Sequence, residues 1–286
     1  HIFVSHTHMD HFIGFDYVLR VCLGRDHHIS LFGPPGFHQQ VENKISAYTW
    51  NLVENYTNDF ALHVTEVHPE KKMVRHYRCR TAFAPEIEDI EERFDGTLVE
   101  GNYFSVKGEF LDHKIPCLAY RFEEKSRVNI KKNILQDMGL PVGAWLMDLK
   151  DRILRGEPDD TPIRVCWKEG RDERGEKFIP LGELKATIVK VTPGQKITYI
   201  TDAIYNEENA RKIVRLAEAS DLMFIEATFL HEDTEKAMQK YHLTALQAGM
   251  LARMAGAKRI SLFHFSPKYK GGGNLLAEEA MRAFNG

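Results

Sequence analysis

The chain opens on an apolar run, Ile2-Phe3-Val4, that stops at the polar cluster His6-Thr7-His8-Met9-Asp10-His11. That boundary predicts a short buried strand over the first five residues. Apolar positions then recur at Phe12, Phe15, Val18, Leu19 and Leu23, close to helical spacing. A strand at Ile29 to Phe32 is closed by Gly33-Pro34-Pro35-Gly36, which is a strand stop and a helix start. A helix over roughly 37 to 56 follows it. Alternation at Leu62, Val64 and Val67 predicts another strand. From 72 to 124 the pattern is of short strands, at Met73 to Phe83, Gly96 to Val99, Tyr103 to Val106 and Cys117 to Phe122.

Residues 126 to 180 break this rhythm. Helical pieces around Ile130 to Met138 and Trp145 to Leu154 are separated by Gly139-Leu140-Pro141-Val142-Gly143, and Gly156-Glu157-Pro158-Asp159-Asp160 is turn-rich. The stretch reads as an insertion projecting from a core. Afterwards strands at Lys196 to Thr201, Leu222 to Glu226 and Arg259 to Phe263 alternate with helices at Glu207 to Ala219, near 232 to 240, 244 to 255 and 275 to 284. Strands alternating with helices at both ends, with meander strands between, predict an α/β sandwich.

A chain of 286 residues with 43 % hydrophobic and 28 % charged positions can bury a large core. Its net charge of −3 excludes a wholesale basic nucleic-acid binder, though not a local basic groove. No apolar run reaches the roughly 18 residues of a membrane span. Cys22, Cys79, Cys117 and Cys166 lie far apart, which argues against a disulfide scaffold or a cysteine zinc site and fits a cytoplasmic protein. The histidines are more informative, because four of the 14 stand at positions 1, 6, 8 and 11.

In an extended segment His6 and His8 point the same way, and a tight turn lets Asp10 and His11 face a second point nearby. Imidazole and carboxylate together suit zinc, with manganese or iron as alternatives. A histidine-rich solvated loop is the plainer reading. Four ligand-type residues in six, straight after an apolar strand, weigh against it.

His6-x-His8-x-Asp10-His11 resembles the hallmark of the metallo-β-lactamase superfamily. Further segments resemble its ribonuclease Z-like branch, the transfer RNA 3′-processing endoribonucleases, in family order. They are Leu111-Asp112-His113-Lys114-Ile115-Pro116-Cys117, Tyr199-Ile200-Thr201-Asp202-Ala203, Phe224-Ile225-Glu226-Ala227-Thr228-Phe229, Tyr241-His242-Leu243-Thr244 and Phe263-His264-Phe265-Ser266-Pro267. The resemblance implies one domain over 1–286 with the αββα sandwich of that superfamily and an arm-like insertion at 126–180, after the third metal histidine. It implies two divalent ions, one held by His6, His8 and His113, the other by Asp10, His11 and His264, with Asp202 bridging. It also implies catalytic roles for Asp10, which accepts a proton while ligating, and for His242, which protonates the leaving alkoxide and is oriented by Glu226.

Each later residue also has a bland reading. Asp202 could cap the helix at Asn206, His242 could be a helix N-terminal residue near Thr244, and His113 or His264 could be structural. His27, His28, His38, His63, His68, His76 and His231 match no ligand slot, and His1 at most borders the site.

The resemblance further implies an RNA substrate, precursor transfer RNA trimmed at its 3′ end, and a homodimer. Two departures qualify it. The arm-like stretch replaces a Gly-Pro pair with Gly143-Ala144, and Lys150, Arg152 and Arg155 are offset by Asp148, Asp151, Glu157, Asp159 and Asp160, whereas phosphate binding favours net basic charge. The family also carries strands and an aspartate-containing motif before H-x-H-x-D-H, and these N-terminal strands are absent from this chain. A sheet without them exposes an apolar edge, so the natural protein is expected to be longer or partnered. The competing readings are a hydrolase of a small phosphodiester, cyclic nucleotide, other ester or lactone, and a non-catalytic metal-binding scaffold, whose mark would be missing ligands. Gly271-Gly272-Gly273 adds chain flexibility and says little about substrate.

Overall fold

The structure is a computed structural model that describes residues 1–86, 90–169, 173–269, 271 and 273–286. Gly272 of the glycine run lies outside the described residues, as does part of the 126–180 stretch.

The chain begins β1 (Ile2–Phe3), α1 (Met9–Phe12), α2 (Phe15–Cys22), β2 (His28–Gly33), α3 (Phe37–Ser46), β3 (Ala61–Val67), β4 (Lys71–Arg78) and β5 (Ile90–Arg93). It continues β6 (Thr97–Glu100), β7 (Phe104–Asp112), β8 (Pro116–Glu124), β9 (Arg127–Ile130), α4 (Lys132–Asp137), α5 (Trp145–Leu154), β10 (Pro162–Glu169), β11 (Glu173–Pro180), α6 (Leu181–Thr187) and β12 (Val189–Thr192). The last third is β13 (Lys196–Ile200), α7 (Glu207–Leu216), β14 (Leu222–Glu226), α8 (Thr234–Gln239), α9 (Ala245–Met254), β15 (Ile260–Phe263) and α10 (Gly273–Asn285). Two compact units result, His1–Glu123 with Lys196–Gly286, and Glu124–Gln195.

The first unit holds two sheets, ordered β1-β2-β3-β4-β5 and β15-β14-β13-β8-β7-β6. Strand alternation sorts their side chains into layers. Leu62 and Val64 of β3 face a core with Phe12, Phe15 and Leu19 of the first two helices and Phe37, Val41 and Ile45 of α3. Phe32 and Val67 turn the other way and meet Leu98, Val106, Leu118 and Tyr120 of the second sheet. On that sheet's far face Ile200, Met223 and Ile225 pack with Ile213, Leu251 and Leu276 of α7, α9 and α10. Helices therefore cover both outer faces of a two-sheet sandwich. Among the described residues β1 pairs with β2 alone.

This topology collects strand ends. β13, β14 and β15 run parallel, so their C-terminal ends share one rim. β8 is antiparallel to β13, which brings the β7–β8 turn to that rim. The end of β1 is tied to the start of β8 by the Leu118 N–H donating to the Ser5 carbonyl at 2.9 Å and the Tyr120 hydroxyl donating to the Val4 carbonyl at 2.6 Å.

The second unit has two antiparallel pairs, β10–β11 and β9–β12. Leu135, Trp145, Leu149, Ile163, Val165, Ile179 and Leu184 make its core with α4, α5 and α6.

Several elements differ from the pattern-based expectation, among them β5, β9, α6 and β12, which no pattern predicts. The helix expected over 37 to 56 ends at Ser46, where Tyr48 and Leu52 are exposed and the Ile45 carbonyl accepts both the Tyr48 N–H at 3.2 Å and the Trp50 indole at 3.0 Å. The strand foreseen to Phe83 stops at Arg78 in a 3-10 turn, followed by Ala82 and Phe83 at positive φ. The β10–β11 hairpin was not foreseen, because the second strand (Glu173–Pro180) is mostly polar and shows no apolar alternation. Among the described residues no helix is long and apolar enough to cross a membrane, and Cys22, Cys79, Cys117 and Cys166 are all free.

Two stability predictions arise here. His28, His63 and His76 stack across β2, β3 and β4 with ring centroids 4.5 and 4.2 Å apart. Burial, then His76, His28 and Arg78, push His63 down to about 4 from 6.5, against a weaker pull from Glu86. The unfolded chain thus binds more protons between those values. Stability is complete above pH 6.5 and falls as pH drops toward 4. Solvent screening of this partly exposed ring leaves about 1 kcal/mol of effect. H63T should flatten the acid slope of the urea midpoint between pH 7 and about pH 4.5, and a slope identical to wild type would reject the assignment. The second concerns α9 and α10, which cross at backbone contact: a Cβ on Gly249 would lie 2.1 Å from the Ala280 carbonyl oxygen. G249A is therefore expected to destabilise by about 1–3 kcal/mol, and an unchanged denaturation midpoint would show that the crossing yields freely.

Candidate metal centre

The rim of strand ends carries every candidate site residue. His6 and His8 follow β1, Asp10 and His11 sit in α1, and His113 lies in the β7–β8 turn. Asp202, Glu226 and His264 come just past or at the ends of β13, β14 and β15, and His242 precedes α9.

His6 Nε2 lies 3.0 Å from His8 Nδ1. Burial, reinforced by His11, pushes His6 down to about 3, so its imidazole is neutral and Nε2 can offer a lone pair. Its other nitrogen meets Ser5 Oγ at 3.2 Å and Cys117 Sγ at 3.5 Å. His113 donates from Nδ1 to the Tyr241 carbonyl at 2.7 Å. That bond sets the tautomer and leaves Nε2 unprotonated, 3.5 Å from Asp202 Oδ2. The ligand atoms of His6, His8, His113 and Asp202 all lie within 4.8 Å of one another.

A second group, Asp10, His11 and His264, meets the same criterion. His11 Nε2 is 3.3 Å from both Asp10 Oδ2 and Asp202 Oδ2. His264 Nε2 is 3.3 Å from Asp10 Oδ2, and its Nδ1 is 3.4 Å from Asp202 Oδ1. Asp202 thus stands between the groups, with one oxygen toward His6, His11 and His113 and the other toward His264. Burial pushes its carboxyl up, but His11, His264 and His242 outweigh this and hold it well below the usual carboxylate range. It does not cap α7, because the Asn206 side chain accepts the Asn209 N–H at 2.7 Å and fills that place.

His242 donates from Nδ1 to Glu226 Oε2 at 3.0 Å. Burial works against its cation, yet the bond to Glu226 and the charges of Glu226 and Asp202 raise it above the ordinary imidazole value. Glu226 is fully buried and accepts the Ala203 N–H at 2.7 Å and the Thr228 hydroxyl. Thr244, two residues on from His242, caps α9 in a capping box with Gln247, so His242 itself is spared for the rim.

The donor set suits a divalent cation. Ring nitrogens and carboxylate oxygens face one another across short gaps, an arrangement that pairs lone pairs unless a positive charge lies between them. His11 Nε2 shows the same thing singly, being buried with no hydrogen-bond partner among the described residues although two carboxylates lie nearby. His1 stays outside the cluster, its ring against Phe3, Phe32 and Phe104. The groups that orient the ligands are not legible in the sequence. Ser5, Cys117 and the Tyr241 carbonyl carry no motif of their own, and only the fold reveals what they touch.

No family model matches the chain. It is 28 % identical over 273 residues to ribonuclease Z of Deinococcus radiodurans, which covers 94 % of this chain and 76 % of that protein. It is 29 % identical over 292 residues to ribonuclease Z of a Cyanothece species, covering 99 % and 73 %. Among solved structures, the metallo-β-lactamase fold protein YhfI from Bacillus subtilis superposes with a TM-score of 0.50 at 16 % identity, over 99 % of this chain and 71 % of that one. The short form of human tRNase Z gives 0.50 at 16 %, over 94 % and 73 %. These two likenesses show that the fold is shared.

Proposed function

We propose that this chain, a ribonuclease Z-like member of the metallo-β-lactamase superfamily, is a dinuclear metal-dependent phosphodiesterase that cuts precursor transfer RNA at its 3′ end. The observation that carries this reading is the convergence of two ligand groups on Asp202 with a buried His242–Glu226 pair beside them.

His6, His8 and His113 would hold one ion, Asp10, His11 and His264 the other, and Asp202 would serve both. When bound, such ions lower the pKa of a water from about 15.7 to about 7 and offset the charge that builds on the phosphoryl oxygens. Zinc fits the imidazole-rich set, and manganese or iron are the alternatives to test. The Asp10 side chain is 64 % exposed and is therefore open to accept a proton from the attacking water. The departing alkoxide is a poor leaving group until protonated. With Nδ1 committed to Glu226, His242 can carry that proton on Nε2 and deliver it. Glu226 is held by three donors at once and keeps the imidazole in place.

One observation favours a second reading, a small phosphodiester as substrate. In the unit Glu124–Gln195 several cations are spent on internal pairs: Arg152 on Asp148 and Glu157, Arg164 on Glu176, Lys185 on Asp159. A surface that grips a nucleic-acid backbone leaves such charges free to displace counterions. A precursor transfer RNA with a 3′ trailer, assayed beside bis(p-nitrophenyl) phosphate, separates the two. Cutting at the discriminator nucleotide is expected. Turnover of the small diester alone would favour the second reading, and inactivity of metal-loaded protein on both would defeat each of them.

A further inference from the structure

The ligand set draws His113 and Asp202 from different strand ends, and something must hold those ends in register. His113 and Asp202 both lie past the ends of their strands, β7 ending at Asp112 and β13 at Ile200. The brace comes from the first turn of α7. Asn209 is 2 % exposed and points back under the rim. Its Oδ1 accepts the Asp112 N–H at 3.0 Å. Its Nδ2 donates to the Asp112 carbonyl at 3.0 Å and to the Ile204 carbonyl at 2.8 Å. One amide therefore grips both backbone groups of the residue before His113 and one of the residue two beyond Asp202. The Ile204 N–H donates to the same Asp112 carbonyl at 2.9 Å, which closes the junction.

The far side of His113 is fixed as well. Asp112 Oδ1 accepts the Lys114 N–H at 2.8 Å, and Lys114 sits at φ 64°, so the turn is tight. Asn209 is in turn fixed by donating its own N–H to the Asn206 cap.

We propose that Asn209 is a positioning residue that sets the spacing of His113 and Asp202, and through it the affinity of the first metal pocket. The proposal rests on the metal reading given above. It touches neither ion nor substrate and acts only through the backbone of two loops. An amide is the side chain this junction requires, because it must offer one acceptor and two donors in one plane. Aspartate is nearly the same size but turns an acceptor toward two carbonyls. Sites of this kind tolerate displacements of only about 0.5 Å, and groups that orient metal ligands typically change affinity by about 10–100-fold.

The test compares wild type, N209D, the milder N209S and the control G249A. The control crowds the α9–α10 crossing, where an added Cβ meets Ala280 and Ala283, away from Asn209 and Asp112. Zinc affinity is read by competition with a chromophoric chelator, and ligand geometry by the visible absorption of the cobalt-substituted protein. Asn209 variants should bind the first ion about 10–100-fold more weakly, with altered cobalt bands and with diester kcat restored by excess metal. G249A should lose thermal stability and keep wild-type affinity and bands. If N209D fails to fold, N209S carries the comparison. Asn209 variants with wild-type affinity and bands, whatever their Tm, would overturn the proposal. A wild-type chain that takes up no metal would instead defeat the reading beneath it.

Discussion

H242A is expected to retain its metal content and lose about 10²–10⁴-fold in kcat on a phosphodiester with an alkoxide leaving group, the usual worth of a positioned general acid. His242 is fastened at Nδ1 to a carboxylate that has no exposure, so its free nitrogen can point only at the rim. The loss should shrink when the leaving group is p-nitrophenolate, which departs without protonation. E226Q should follow the same pattern more weakly, because the amide still fills the space but no longer supports the imidazolium. Equal losses on both substrates would show that His242 acts in binding or folding and not in proton delivery.

The second large effect belongs to Asp202. Its two oxygens face His6, His11 and His113 on one side and His264 on the other, at 3.3 to 3.6 Å. D202A removes the anion that faces both groups and leaves neutral imidazoles without the carboxylate charge that offsets two neighbouring cations. Metal affinity should fall by more than the roughly 100-fold upper range for orienting partners, and turnover should fall with it. D202N, which keeps shape but not charge, should resemble D202A in metal content. The readout is metal per chain after dialysis, measured beside far-ultraviolet circular dichroism to show that the fold persists. Wild-type metal retention in D202A would mean that Asp202 belongs to only one group or to none.

Particular residues show how far the chain could be read beforehand. Leu222–Glu226 and Trp145–Leu154 are legible because each combines strong periodicity with clear punctuation. The early strand, Ile2-Phe3-Val4, announces its end through the polar cluster behind it. The end of α3 is not legible, because it depends on where Trp50 folds back. Nor is β11, whose register is dictated by β10 and not by its own side chains. The site divides in the same way. His6, His8, Asp10 and His11 crowd one segment and declare themselves by chemistry. His113, Asp202, His242 and His264 stand alone in sequence and could be chosen only by family order. Asn209, Ser5 and the Tyr241 carbonyl were beyond reach, since a common amide, hydroxyl or backbone oxygen acquires meaning only from what tertiary structure sets beside it.

Crystals grown with zinc and measured on both sides of its absorption edge offer the most direct test. Two anomalous peaks are expected, about 3.5–4 Å apart, one among His6, His8 and His113, the other among Asp10, His11 and His264, with Asp202 touching both. An anomalous map with no peak at these residues, from protein that remains folded, would contradict the metal centre and every catalytic role assigned around it.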